Sequence, residues 1–167
     1  MTVNIKHPDR LLIGGEWVEP IDGAPIPVIS PDTEEIVFTV AGAGPRDMDR
    51  AVEAARRAFD SGPWSEMPPE KRIALVERLA DALDRRAGEI GEAWTLQVGA
   101  LAVMGPIFAG IGTQHLRDAI AHGRNFKFEQ QVESPVAPDA RIVYEAVGVV
   151  AAITPWNVPY MLMTNKV

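Results

Sequence analysis

Gly148-Val149-Val150-Ala151-Ala152-Ile153-Thr154-Pro155-Trp156-Asn157-Val158-Pro159-Tyr160-Met161-Leu162 is the stretch on which the reading of this chain turns. From Val147 to Ile153 it is short, uncharged and rich in valine, the pattern of a strand buried on both faces. Pro155 cannot donate to a ladder, so it stops the strand and forces a turn that presents Trp156 and Asn157 at the strand's end. Open α/β sheets bind ligands beyond such strand ends. A side-chain amide placed there can donate to an oxygen that becomes negative during acyl chemistry, and the indole beside it can wall the site against water. The plainer reading of the same pair is a core tryptophan next to a turn asparagine.

Residues 148–159 resemble the segment with which the aldehyde dehydrogenase superfamily begins its nicotinamide-cofactor site, with the family's Trp-Asn-x-Pro reproduced in Trp156-Asn157-Val158-Pro159. Leu12-Ile13-Gly14-Gly15-Glu16-Trp17-Val18 is similar to the family's N-terminal signature, and Ile29-Ser30-Pro31-Asp32-Thr33-Glu34-Glu35-Ile36 to the turn that follows it. The likeness runs from Leu11 to Lys166, weakest between Gly99 and Arg124. It implies an α/β fold class: the N-terminal part of the aldehyde dehydrogenase fold, an incomplete Rossmann-like cofactor domain plus an extended β-hairpin oligomerisation arm.

The same resemblance implies that the Asn157 amide donates to the oxyanion of a thiohemiacetal. It also implies that Ile153, Thr154, Pro155 and Trp156 border the nicotinamide end of NAD or NADP. Lys166 stands nine residues beyond Asn157, where the family carries a lysine assigned to proton relay or cofactor positioning. A solvated lysine on a helix explains it equally. One departure is Gln97-Val98-Gly99-Ala100-Leu101-Ala102, which stands where many members have a Thr-Gly-Lys-Pro-like turn. It leaves the subfamily and the particular aldehyde unassigned.

Family members attack the carbonyl with a cysteine thiolate and hydrolyse the thioester with water activated by a glutamate. This chain has no cysteine, which excludes disulfides and thiolate metal sites as well as that nucleophile. It also ends inside the apolar helix Met161-Leu162-Met163, a poor place for a domain boundary. The expectation is therefore the N-terminal fragment of an NAD(P)-dependent aldehyde dehydrogenase, inactive alone and binding the dinucleotide weakly or not at all. The alternative is a non-catalytic truncated subunit acting through arm interactions. A stand-alone nucleotide-binding module is disfavoured, since one strand and a helix start cannot enclose a dinucleotide.

Composition sets the outer limits. With 167 residues and 47% hydrophobic content the chain can bury one core. Sixteen Lys plus Arg against 23 Asp plus Glu give a net charge of −7, which argues against nucleic acid or an anionic membrane as partner. The first ten residues have no apolar run of signal-peptide length, so a cytoplasmic location is expected. The uncharged stretch from Ala93 to Leu116 is interrupted by Gly99, Gly105, Pro106, Gly110 and Gly112 and reads as a buried helical region, not a span.

Along the chain, Leu11 to Ile29 suits short antiparallel strands with tight turns at Gly14-Gly15 and Asp22-Gly23, followed by a strand over Ile36 to Val40. Met48, Val52, Ala55 and Phe59 mark the apolar face of a helix over 47–60, closed by Ser61-Gly62-Pro63. A second helix starts near Pro68-Pro69-Glu70 with Ile73, Val76, Leu79 and Leu83 as its buried stripe. Helices over 87–98 and 106–122 follow. Asn125-Phe126-Lys127-Phe128 and Arg141-Ile142-Val143-Tyr144-Glu145 form the two strands of the arm.

The resulting division is residues 1–124 for the N-terminal part of the cofactor domain, 125–146 for the arm that would pair subunits into a homo-oligomer, and 147–167 for the first strand and helix start of the nucleotide-binding sheet. Two other patterns carry less. Gly110-Ile111-Gly112-Thr113-Gln114-His115 lacks the third glycine and the preceding strand of a dinucleotide loop. His115, Asp118 and His122 share a helix face without a second ligand segment, so no metal is expected there.

Overall fold

The computed structural model describes residues 3–167. Four short strands come first: β1 (Leu11–Ile13), β2 (Glu16–Val18), β3 (Ile26–Ile29) and β4 (Ile36–Val40). Then come α1 (Pro45–Ser61), α2 (Pro69–Asp84), α3 (Ala87–Val98), a 3-10 turn over Ala102–Met104, and α4 (Gly105–Asn125). β5 (Glu129–Gln131), β6 (Arg141–Val143) and α5 (Pro159–Thr164) complete it. The strands pair as three antiparallel two-stranded units, β1 with β2, β3 with β4, and β5 with β6.

The core is helical and centred on α4. Ala109, Thr113, Leu116 and Ile120 of α4 are buried at three- and four-residue spacings, facing α2, α3 and α5. α3 crosses α4 at Gly91 and Gly105, where a Cβ on Gly91 would sit 2.4 Å from the Gly105 carbonyl carbon, so the two backbones touch directly. α2 contributes Ile73, Val76, Ala80 and Leu83. Ala80 is fully buried, whereas Leu79 of the expected stripe is exposed. A small residue at the crossing lets α2 approach α4 closely, and the stripe drifts by one position to follow it. Across the outside of this contact, Arg117 reaches Asp81 and Asp84, and Arg124 reaches Glu77. Exposed pairs of this kind add little stability.

α1 is attached differently from the expectation. Its apolar residues Met48 and Val52 face solvent, and the helix is instead held by Asp47, 1% exposed. Both Asp47 carboxylate oxygens accept from the Ile21 N–H, at 3.0 and 3.1 Å, and Oδ2 also accepts from the Gly44 N–H at 3.2 Å. Arg50 donates to Asp47 Oδ1 at 3.3 Å and to the Glu19 carbonyl at 3.4 Å. Burial pushes the Asp47 carboxyl up, but the hydrogen bonds from the Ile21, Gly44 and Asp22 backbone and the Arg50 charge together hold it below its ordinary value. One carboxylate thus caps α1 and ties it to the strand region before it.

Two expected elements differ in the structure. Asn125 to Phe128 is not the arm's first strand: α4 runs through Asn125, and β5 begins at Glu129. Phe126 and Phe128 cluster edge-on with each other and, through Phe126, with Tyr144, at 4.9 and 5.1 Å between centroids. They form the base of the hairpin, and Arg72 of α2 lies over Phe128. Residues 147–153 likewise depart from the expectation: they form no strand, and their apolar side chains are open, Val147 completely so. An apolar run becomes a buried strand only when neighbouring strands pair with it and helices cover it; no described segment does either. The described strands accordingly make no parallel, Rossmann-like sheet. Among the described residues no helix is long and apolar enough to cross a membrane.

Candidate functional site

The segment from Glu145 to Asn157 contains no helix or strand, and α5 begins at Pro159 immediately after it. Proline suits the first helical position because its missing N–H would lack an intrahelical partner there in any case. α5 is only six residues long, so its position depends on packing, not on intrinsic helix stability. Its Tyr160 side chain docks it on α4 in two ways. The Tyr160 hydroxyl lies 2.9 Å from Thr113 Oγ1, which in turn donates to the Ala109 carbonyl at 3.3 Å. The tyrosine ring occupies the space that Gly112 leaves open, since a Cβ there would come within 2.4 Å of Tyr160 Cε1.

On the α3 side, Trp94 Nε1 donates to the main-chain carbonyl of Asn157 at 2.7 Å. The Trp94 ring is itself packed on Phe108, with centroids 4.3 Å apart. Ile90, Trp94, Phe108, Val158, Tyr160 and Met161 line a small apolar pocket between α3, α4 and the start of α5.

The turn therefore has its backbone held and its side chains free. Asn157 is exposed, and its side-chain amide has no hydrogen-bond partner among the described residues. Trp156 is 78% and Ile153 82% exposed, Pro155 is exposed, and Thr154 is half-buried. Trp156 is thus not packed in a core within these 167 residues. Lys166 lies just beyond α5, with Nζ donating to the Leu162 carbonyl at 3.4 Å. α5 lies between Lys166 and Asn157 in the chain, and no hydrogen bond joins the two side chains among the described residues. His115 faces the Met161 carbonyl at 3.4 Å, and Asp118 accepts from Gln114.

Sequence reasoning overlooked Trp94, Thr113 and Tyr160. A tryptophan inside a helical core implies an acceptor for its N–H, but the sequence does not say which one. The partner here is 63 residues away.

The sequence profile of the aldehyde dehydrogenase family matches residues 17–167. The chain belongs to that family. Among its relatives, 3-succinoylsemialdehyde-pyridine dehydrogenase from a Pseudomonas species is 36% identical over 157 residues, covering 93% of this chain and 31% of the relative. Geranial dehydrogenase from Castellaniella defragrans is 32% identical, covering all of this chain and 34% of the relative. Among solved structures, an aldehyde dehydrogenase of Mycobacterium tuberculosis complexed with NAD+ superposes with a TM-score of 0.89 at 31% identity, over 95% of this chain and 33% of that one. A mutant aldehyde dehydrogenase C of Pseudomonas syringae, complexed with NAD+ and octanal, gives 0.88 at 33% identity, over 97% and 32%. This aldehyde dehydrogenase chain spans about a third of the length of these relatives.

Proposed function

We propose that this chain forms the N-terminal portion of an enzyme that oxidises an aldehyde to a carboxylic acid with NAD+ or NADP+. The observation that carries the reading is the Asn157 turn, whose backbone is anchored while its amide is left open at the end of the 145–157 segment. An amide with no internal partner is available to an oxygen outside the chain, and a fixed backbone lets it bind a developing oxyanion without reorganising. A cysteine supplied from outside these 167 residues attacks the carbonyl carbon. As the carbon–sulfur bond forms, the carbonyl electron pair moves onto oxygen, and Asn157 donates to that oxygen.

The dinucleotide, when bound, accepts the hydride. The chemistry of the residues present fits one end of it. Ile153, Pro155 and Trp156 offer open, uncharged, mostly apolar surface that suits the face of a flat ring and excludes water from it. They carry no cation for a pyrophosphate, so this chain alone binds the dinucleotide weakly at best. Lys166, whose Nζ is turned to the Leu162 carbonyl, is assigned to proton relay or cofactor positioning. The β5–β6 hairpin, with its exposed Ile142 and Val143, supports a subunit-pairing role for residues 125–146.

The test is an NAD(P)H-formation assay with a panel of aldehydes. The full-length polypeptide that contains this chain reduces the dinucleotide, and the 167-residue chain alone does not. Turnover by the cysteine-free chain above a buffer blank would overturn the assignment of the nucleophile.

A further inference from the structure

Apart from Asn157, the turn has one partner whose chemistry the reaction does not use. Among the described residues, the segment from Glu145 to Asn157 makes a single hydrogen bond, the one from Trp94 Nε1 to the Asn157 carbonyl. Backbone hydrogen bonding resumes only at Leu162, whose N–H reaches the Val158 carbonyl. Asn157 therefore stands at the junction between a stretch with no backbone anchor and a helix of only six residues. The orientation of its side chain follows the orientation of its own peptide unit, and Trp94 holds that unit.

Trp94 is well placed to act as a fixed point. It sits in the last two turns of α3, the helix that meets α4 backbone to backbone at Gly91 and Gly105. Its ring is stacked on Phe108 and lines the small pocket with Val158 and Met161. At 2.7 Å its bond to Asn157 is at the short end of the N–H···O range.

We propose that Trp94 is a positioning residue for the catalytic turn: its indole N–H sets the Asn157 peptide so that the amide is aimed before substrate arrives. The proposal rests on the oxyanion role given to Asn157. A tryptophan that only packs would need its ring and not its N–H. A positioning tryptophan needs the N–H, and its effect must pass through the Asn157 amide.

These alternatives separate in the full-length polypeptide by a double-mutant cycle with Trp94→Phe and Asn157→Ala, using kcat, KM and thermal melting at matched folded fraction. Trp94→Phe keeps an aromatic ring against Phe108 and removes the donor. It lowers kcat about 3- to 10-fold, the range corresponding to one neutral hydrogen bond, with KM for the aldehyde little changed. In the Asn157→Ala background the same substitution has no further effect, because there is no amide left to aim. Trp94→His carries a ring nitrogen at the place of Nε1 and restores part of kcat at a pH where the imidazole is neutral. If Asn157→Ala is itself near normal, the oxyanion reading falls and this proposal with it. If Asn157→Ala is impaired while Trp94→Phe is not, or if the two effects multiply, positioning by Trp94 is overturned and the oxyanion reading survives.

Discussion

The Tyr160 hydroxyl meets Thr113 Oγ1 at 2.9 Å with its ring lying over Gly112, so a single side chain from a six-residue helix docks both by hydrogen bond and by shape. The two contributions separate by mutation. Tyr160→Phe loses only the hydroxyl, leaves Thr113 still bonded to the Ala109 carbonyl, and costs about 0.5–1.5 kcal/mol. Gly112→Ala drives a Cβ into the ring and forces α5 away from α4, so its loss is larger. Urea unfolding of the two variants checks the order, and equal losses would show that the close approach at Gly112 is not what seats α5.

Asp47 makes stability depend on pH in a defined direction. Its folded carboxyl titrates below the ordinary value of 3.8, despite burial, because the Ile21, Gly44 and Asp22 backbone and Arg50 favour the charged form. A depressed carboxyl contributes stability that is fully present above its unfolded value and is lost as pH falls through the folded one. The contribution is therefore constant near neutrality and declines below about pH 4. Asp47→Asn melts several degrees lower at pH 7 and shows a shallower fall in melting temperature on acidification. Parallel acid slopes for both proteins would remove Asp47 as the cause.

Much of the helical part was legible because it is written in local periodicity. α3 has the expected bounds, and α1 begins and ends close to them, but periodicity reports a face and not what covers it. Met48 and Val52 are amphipathic in sequence and exposed in the structure, and the attachment of α1 passes through Asp47. Leu79 and Ala80 exchange places for a related reason, since close approach of α2 to α4 rewards a small residue that no hydrophobicity pattern marks. The strand over 147–153 failed where composition had to stand in for a pairing partner. At the site, the Pro155 to Pro159 turn and the exposure of the Asn157 amide followed from local chemistry, whereas the Trp94 and Thr113 contacts join residues 63 and 47 apart.

The open apolar side chains at one edge have a consequence for the isolated chain. Val147, Val150 and Ile153 lie within seven residues of one another and are among the most exposed apolar residues. Adjacent unpaired backbone makes this a template for association. At concentrations of about 10–50 micromolar, where weak apolar contacts populate, the chain self-associates. Replacing all three residues by serine reduces association without lowering the melting temperature, because none of them is packed. A monodisperse monomer of the unaltered chain by light scattering would contradict this.

The oxyanion role proposed for Asn157 makes the most specific prediction. In the full-length polypeptide, Asn157→Ala lowers kcat by about 10²–10³, or about 2.7–4 kcal/mol, the loss expected for one oxyanion-hole donor. KM for the aldehyde moves little, since the ground-state carbonyl oxygen carries less charge than the oxyanion and gains less from the donor. The structure adds a constraint on stability: the bond from Trp94 ends on the Asn157 main chain, which alanine retains, and the amide has no internal partner to lose. The melting temperature of Asn157→Ala therefore stays close to that of the parent. The opposite pattern, a lowered melting temperature with near-normal kcat in the folded fraction, would assign Asn157 to holding the turn and leave the oxyanion without a donor from this chain.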